Sequence, residues 1–158
     1  MGEGRPIDKA LEEAIEFRRL LDDLHPKALA ELVYKLIESG ERIPEKYVRE
    51  AIAQFSSARN LFGPEDPHDL ELAADLLVYI GDYKKAIKYY KENGNYLKAL
   101  RLARNTNMSK RFTEKLYREA MKYYEEIINF DRCIEIAEEF GMKEDAERYR
   151  RLKELLNE

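Results

Sequence analysis

The sequence predicts an all-α protein, built as an array of about nine short antiparallel helices. A short sequence frame begins at Gly81 and again 13 residues later at Gly94. The frame consists of glycine, Asp or Asn, Tyr, two further residues, Ala and an aliphatic residue. A looser version begins at Ile128 and at Gly141, which are also 13 residues apart, and it follows the first pair by 47 residues. β-Branched residues are scarce and no stretch alternates with period two, so no strand is expected.

Each frame has the features of a turn followed by a helix. Glycine supplies the left-handed backbone that ends one helix, and the neighbouring Asp or Asn caps the next. After the first turn, apolar residues recur at the spacing of one helix face, at Tyr83, Ala86, Ile87 and Tyr90. The small residue of each frame is expected where two helix backbones approach closely, at Ala86, Ala99, Cys133 and Ala146. Because such short helices are marginal alone, packing must stabilise them.

The remaining helices are predicted from prolines, glycines and apolar periodicity. Pro26 suits the first turn of the second helix, and Pro67 suits the first turn of the fourth. In addition to the four helices that the frames begin, helices are predicted over residues 8–24, 27–38, 45–61, 67–80 and 110–128.

The proline-rich and glycine-rich stretch at residues 63–67 is the predicted internal boundary. Residues 1–63 lack the frame and are expected to form an N-terminal helical capping part. Residues 64–158 are expected to form the repeats, with a period of 47 residues. The two parts are predicted to form one continuous domain.

From residue 66 onward the chain resembles the tetratricopeptide-repeat (TPR) class of α-solenoids. The resemblance lies in a helix with Ala73 and Ala74 that turns through Gly81 into a helix with Tyr83 and Ala86. The period of 47 residues exceeds the roughly 34 of that class, and the proline that closes each repeat is missing. The resemblance implies a right-handed superhelix whose concave face binds a protein or peptide.

The amino-acid composition indicates the cellular compartment in which the protein is expected. Charged residues make up 38% of the chain, and Gln54 and Cys133 are the single Gln and Cys, which is typical of thermophilic proteins. One cysteine excludes an intramolecular disulfide, and its place in the frame indicates a buried small residue rather than a nucleophile. The sequence has no apolar run long enough for a membrane span and no signal peptide, so a cytoplasmic protein is expected.

Basic residues are concentrated in the middle of the chain. Residues 81–122 contain twelve Lys and Arg against four Asp and Glu, although the whole chain has a net charge of −4. Four of the basic residues recur at the spacing of one helix face. The predicted basic band is a candidate partner-binding surface made of Lys84, Lys88, Lys91, Lys98, Arg101, Arg111, Lys115, Arg118 and Lys122. The alternative interpretation is a solvated face balanced by the acidic flanking segments.

Tyrosines interleave with the basic band, as in surfaces that stack nucleic-acid bases. Only Tyr89 and Tyr123 are expected to be partly free, which argues against a stacking platform. The others are expected on core-facing stripes: Tyr83, Tyr90, Tyr96, Tyr117 and Tyr124.

The sequence offers little for catalysis. His25 and His68 each lie beside a proline at a helix boundary, where a histidine usually caps or stays solvated. No phosphate-binding glycine loop and no metal-ligand spacing is present. We therefore expect no enzyme activity, no cofactor and no metal.

Three functions remain open. The first is a scaffold that binds a protein or peptide. The second is a nucleic-acid-binding module that uses the basic band over residues 84–122. The third is self-association, in which the basic band of one copy meets an acidic segment of another. No interaction with a membrane is expected.

Overall fold

The computed structural model describes Glu16, residues 26–57 and residues 67–158. These residues form eight α-helices, and most contacts join helices that are neighbours in sequence. The predicted all-α fold is thus confirmed for these residues, and their sequential packing is consistent with the predicted array. The predicted helix over residues 8–24 and the predicted boundary at residues 63–64 lie outside the described residues. The helices are α1 (Pro26–Glu38), α2 (Glu45–Ser57), α3 (Pro67–Tyr79), α4 (Tyr83–Glu92), α5 (Tyr96–Asn105), α6 (Lys110–Glu126), α7 (Phe130–Glu139) and α8 (Lys143–Leu156).

The chain divides into two compact units, Met1–Tyr89 and Tyr90–Glu158. In the first unit α1 packs on α2 and α2 packs on α3. Its core includes Val33 and Val48, which are fully buried, and Leu76 and Leu77. The hydroxyl group of Tyr34 donates a hydrogen bond of 3.1 Å to a carboxylate oxygen on α3, so α1 also contacts α3.

In the second unit α5, α6, α7 and α8 pack in sequence. Polar contacts also join helices that are two apart. Arg101 on α5 donates two hydrogen bonds of 2.9 Å to Glu139 on α7. Tyr117 on α6 donates one of 2.7 Å to Asp145 on α8. Side-chain hydrogen bonds therefore join α6 to α8 and α5 to α7.

The predicted frames form four turns with the same hydrogen bonds. At each turn, the amide of the residue after the glycine position donates to the carbonyl five residues before it, as from Asp82 to Leu77. Gly81, Gly94 and Gly141 have φ angles of +82°, +74° and +73°. Ile128 occupies the same position with a φ of +56°, which is why α6 ends at Glu126 rather than at the predicted residue 128.

Side-chain caps begin three of the helices in the second unit. The carbonyl oxygen of the Asn95 side chain accepts the amide of Lys98, and Asn129 does the same at the start of α7. The hydroxyl oxygen of Ser109 accepts the amide of Phe112 at the start of α6. These bonds satisfy amides that have no partner within their own helix.

The small residues of the frames are buried as predicted: Ala86, Ala99, Cys133 and Ala146. Two predictions about tyrosines are wrong. Tyr83 was expected on the core stripe but is 38% exposed, because it is the first residue of α4, where neighbouring helices cover less of the surface. Tyr89 was expected to be partly free but is 8% exposed, because α4 buries a broader face than one stripe.

Candidate functional site

The predicted basic band is distributed over both units. Lys84 and Lys88 lie on the exposed side of α4 in the first unit, and the other seven residues belong to the second. Within the second unit they fall into two groups: side chains held by other residues of the fold, and side chains directed to solvent.

Three of the seven are held within the second unit. The Nζ atom of Lys91 lies 2.5 Å from a carboxylate oxygen of Glu119. The Nζ atom of Lys98 lies 5.6 Å from the centre of the Tyr90 ring, a cation–π distance. Arg101 binds Glu139 through two nitrogens, so its charge is paired across α5 and α7.

Glu139 is the carboxylate that binds two arginines of α5. Arg101 and Arg104 both donate to it, at 2.9 Å and 3.0 Å. The hydrogen bond from Arg101 is the largest of the effects that hold the pKa of Glu139 below its ordinary value. These two arginines therefore join α5 to α7, and the carboxylate of Glu139 offsets one of their two positive charges.

The remaining cations lie on one side of α6. Arg111, Lys115 and Arg118 are exposed, and none of them makes an ion pair or side-chain hydrogen bond with any part of the chain that the structure describes. The side chain of Lys122 is 78% exposed, and its only ion pair within the same residues is with Glu126, at 4.0 Å. We call these four residues the α6 cationic face. At about 1.5 Å per residue, they extend over roughly 16 Å.

The opposite side of α6 explains this orientation. Its buried residues are Leu116, Tyr117, Ala120, Met121 and Tyr124. They pack against the neighbouring helices and fix the rotation of α6, so the residues at the spacing of the cationic face must point outward. The predicted helical stripe of four basic residues is thus present in the structure.

A shallow depression of about 200 Å³ lies between α6 and α8, and we call it the α6–α8 groove. Two cations of the α6 cationic face, Arg118 and Lys122, are at its edge. The remaining lining residues are Tyr117, Met121, Glu125, Asp145, Arg148 and Tyr149.

The two carboxylates in the α6–α8 groove already accept hydrogen bonds from residues of the same chain. Glu125 accepts hydrogen bonds from Arg148, at 3.1 Å, and from the hydroxyl group of Tyr149. Asp145 accepts from Tyr117. Burial, followed by these hydrogen bonds, raises the pKa of both tyrosines, so each phenol stays protonated as a donor. The cations at the edge therefore determine the charge that a ligand meets.

Other side chains that could react or stack with a ligand are fully or partly buried. Cys133 is fully buried, and burial raises the pKa of its thiol to about 11, so it is a neutral core residue at neutral pH. Tyr123 is half-buried, with its ring 5.0 Å from Tyr96 and 5.1 Å from Tyr124. No group of three or more His, Cys, Asp or Glu within the described ranges is arranged to hold a metal ion.

Sequence reasoning missed the surface of α8. A second depression of about 340 Å³ follows the outer side of this helix and is lined in part by Arg148, Leu152 and Leu155. The signal was available, because these residues recur at the spacing of one helix face. The frame, however, covers only the first turns of α8 and carries no information about its C-terminal half.

No protein-family model, no curated protein and no solved structure gives a significant match to this chain. None of the helices in the described part of the chain is long and apolar enough to cross a membrane. In the part of the chain that the structure describes, the observations define eight sequentially packed helices, among which α6 has an exposed cationic face.

Proposed function

We propose that this chain is a non-enzymatic scaffold, a right-handed superhelix of the TPR-like kind, that binds an acidic segment of a protein partner through the α6 cationic face. The observation that carries the proposal is the contrast between two groups of cations. Lys91 and Arg101 are paired inside the fold, whereas Arg111, Lys115 and Arg118 have no partner among the described residues. Ordering three like charges on one stripe is unfavourable unless an anionic ligand offsets it.

One feature favours an acidic protein over nucleic acid. The tyrosines near the cationic face, Tyr117 and Tyr124, are buried, so they offer no surface on which bases stack.

Nucleic-acid binding through the basic band over residues 84–122 is the second candidate. The specific observation in its favour is Phe112, which is 36% exposed and directly follows Arg111. An exposed ring next to cations is the arrangement that binds single strands.

Affinity capture from cell extract, with and without nuclease, distinguishes the two. A protein that is retained equally in both experiments supports the scaffold. Retained material that is lost after nuclease treatment contradicts it and supports the nucleic-acid alternative.

A further inference from the structure

Two depressions lie next to each other on the second unit, and Arg148 lines both. The α6–α8 groove has Arg118 and Lys122 on its α6 side. The depression on α8 contains Leu152 and Leu155, which are 37% and 66% exposed. A ligand that covers both depressions therefore meets cations on one flank and an apolar pair on the other.

The apolar pair results from the way α8 packs. Its buried residues are Ala146 and Tyr149. The same side of the helix carries an ion pair to α7, between Lys153 and Asp131 at 2.5 Å, since Lys153 lies one turn beyond Tyr149. Leu152 and Leu155 remain exposed beside this packed side, although their helix is otherwise rich in charged residues. A contiguous exposed apolar patch that is rimmed by polar residues marks a surface that binds a partner.

The charges beside the apolar pair are largely balanced within the chain. Glu147 is paired with Arg151 at 2.6 Å, and Arg148 is paired with Glu125. Glu144 adds a single carboxylate at the N-terminal end of α8. The excess of positive charge therefore lies along α6, whereas the apolar surface, with the single carboxylate of Glu144 at its N-terminal end, lies along α8.

We propose that the occupant of this surface is an amphipathic acidic helix of a partner protein. Its carboxylates lie against the α6 cationic face, and its apolar side chains lie on Leu152 and Leu155. This inference rests on the proposed function and adds to it the helical form of the ligand and the apolar flank.

The spacing of the α6 cationic face supports a helical ligand. Its cations are separated by four, three and four residues. A ligand helix that lies roughly parallel to α6 presents carboxylates at the same spacing. Neighbouring helices pack about 8–10 Å apart, so such a helix reaches both flanks at once. This is the helix-in-groove mode of peptide recognition, with anchors one helical turn apart.

Synthetic peptides test the inference directly. The first is a helix of about 18 residues, or five turns, with a stripe of Glu beside a stripe of Leu. The second keeps the Glu stripe and replaces each Leu with Ser. The third has the composition of the first in an order that disperses both stripes. A single-stranded oligonucleotide of equal charge is the fourth probe. Fluorescence anisotropy with the full chain gives the Kd of each.

Two variants of the protein identify the apolar flank. Leu152→Ser with Leu155→Ser removes the apolar pair. Leu156→Ser is the matched control, because Leu156 is 60% exposed on the same helix but does not line the depression. All three residues are more than one-third exposed, so circular dichroism should show the same helix content in every variant.

We expect the first peptide to bind most tightly, and the double variant to weaken its binding by about tenfold or more while the control leaves it unchanged. Equal Kd values for the first and second peptides, or no effect of the double variant, overturn the apolar flank but leave the proposed function standing. Tightest binding of the dispersed peptide overturns the helical form of the ligand. Tightest binding of the oligonucleotide overturns both this inference and the proposed function.

Discussion

The hydroxyl group of Tyr117 on α6 donates a hydrogen bond of 2.7 Å to a carboxylate oxygen of Asp145 on α8. The two residues are 28 positions apart in sequence. Tyr117 is buried, and the bond fixes the separation of the two helices that form the α6–α8 groove. The same kind of bond joins Tyr34 on α1 to Asp75 on α3 in the first unit.

Replacing Tyr117 with Phe removes this bond and keeps the ring. Because Asp145 is only partly buried and water can replace the donor, the free energy of unfolding should fall by about 1 kcal/mol. Tyr83→Phe is the control, since Tyr83 is exposed. Urea unfolding measures both. An unfolding free energy equal to that of the wild type for Tyr117→Phe would show that the bond does not stabilise the packing of α6 on α8.

Ile128 is a β-branched residue in left-handed backbone, at a position where the other three turns have glycine. This conformation costs an L-residue about 1–2 kcal/mol, so Ile128→Gly should raise the free energy of unfolding by about 1 kcal/mol. Ile127→Gly is the matched control, because Ile127 is similarly exposed but has a φ of −94°. The account of strain fails if both substitutions change the melting temperature in the same direction.

Gly81 and Gly94 should respond differently to Ala. Both have positive φ, so each substitution introduces strain. A Cβ at Gly81 meets no atom within 4 Å, whereas one at Gly94 lies 2.5 Å from the hydroxyl oxygen of Tyr123. We expect a loss of about 1 kcal/mol for Gly81→Ala and a larger loss for Gly94→Ala, as measured by thermal unfolding. Equal losses would mean that the Tyr123 side chain moves aside at no cost.

Burial raises the pKa of the Cys133 thiol from its ordinary value of 9.0 to about 11. The folded chain holds this proton more tightly than the unfolded chain does. Its contribution to stability is therefore complete below pH 9 and is lost as the pH rises through 11. The wild type should lose more unfolding free energy between pH 9 and pH 11 than Cys133→Ala does, and the comparison contradicts the assignment if the losses are equal.

Much of the second unit was predictable from sequence. The glycine position of the frame located the turns, and the small residue of the frame located close helix packing, as at Ala99. Both depend on local geometry, since left-handed backbone favours glycine and close approach requires a small side chain. Ile128 is the exception to this rule. The surrounding hydrogen bonds impose the turn there on a residue that does not favour left-handed backbone.

The candidate site was predicted only in part. The stripe on α6 follows from periodicity, which is why Arg118 and its neighbours were identified. Periodicity cannot show which cations find a carboxylate in another helix, so the pairing of the exposed Arg101 with Glu139, 38 residues away, was not predicted. Tyr89 was expected to be partly free for a similar reason, because one helical stripe does not reveal how many neighbours a helix has.

The most direct test of the central claim is a charge reversal on α6. Arg111→Glu, Lys115→Glu and Arg118→Glu are combined in one chain and used with the wild type in affinity capture after nuclease treatment. The control combines three reversals at other exposed cations and changes the net charge equally: Arg42→Glu, Lys46→Glu and Lys143→Glu.

We expect the α6 triple variant to lose the captured protein partner, while the control retains it and both variants keep the helix content of the wild type. The same partner retained by the α6 triple variant at wild-type yield would contradict the claim that the α6 cationic face is the binding surface.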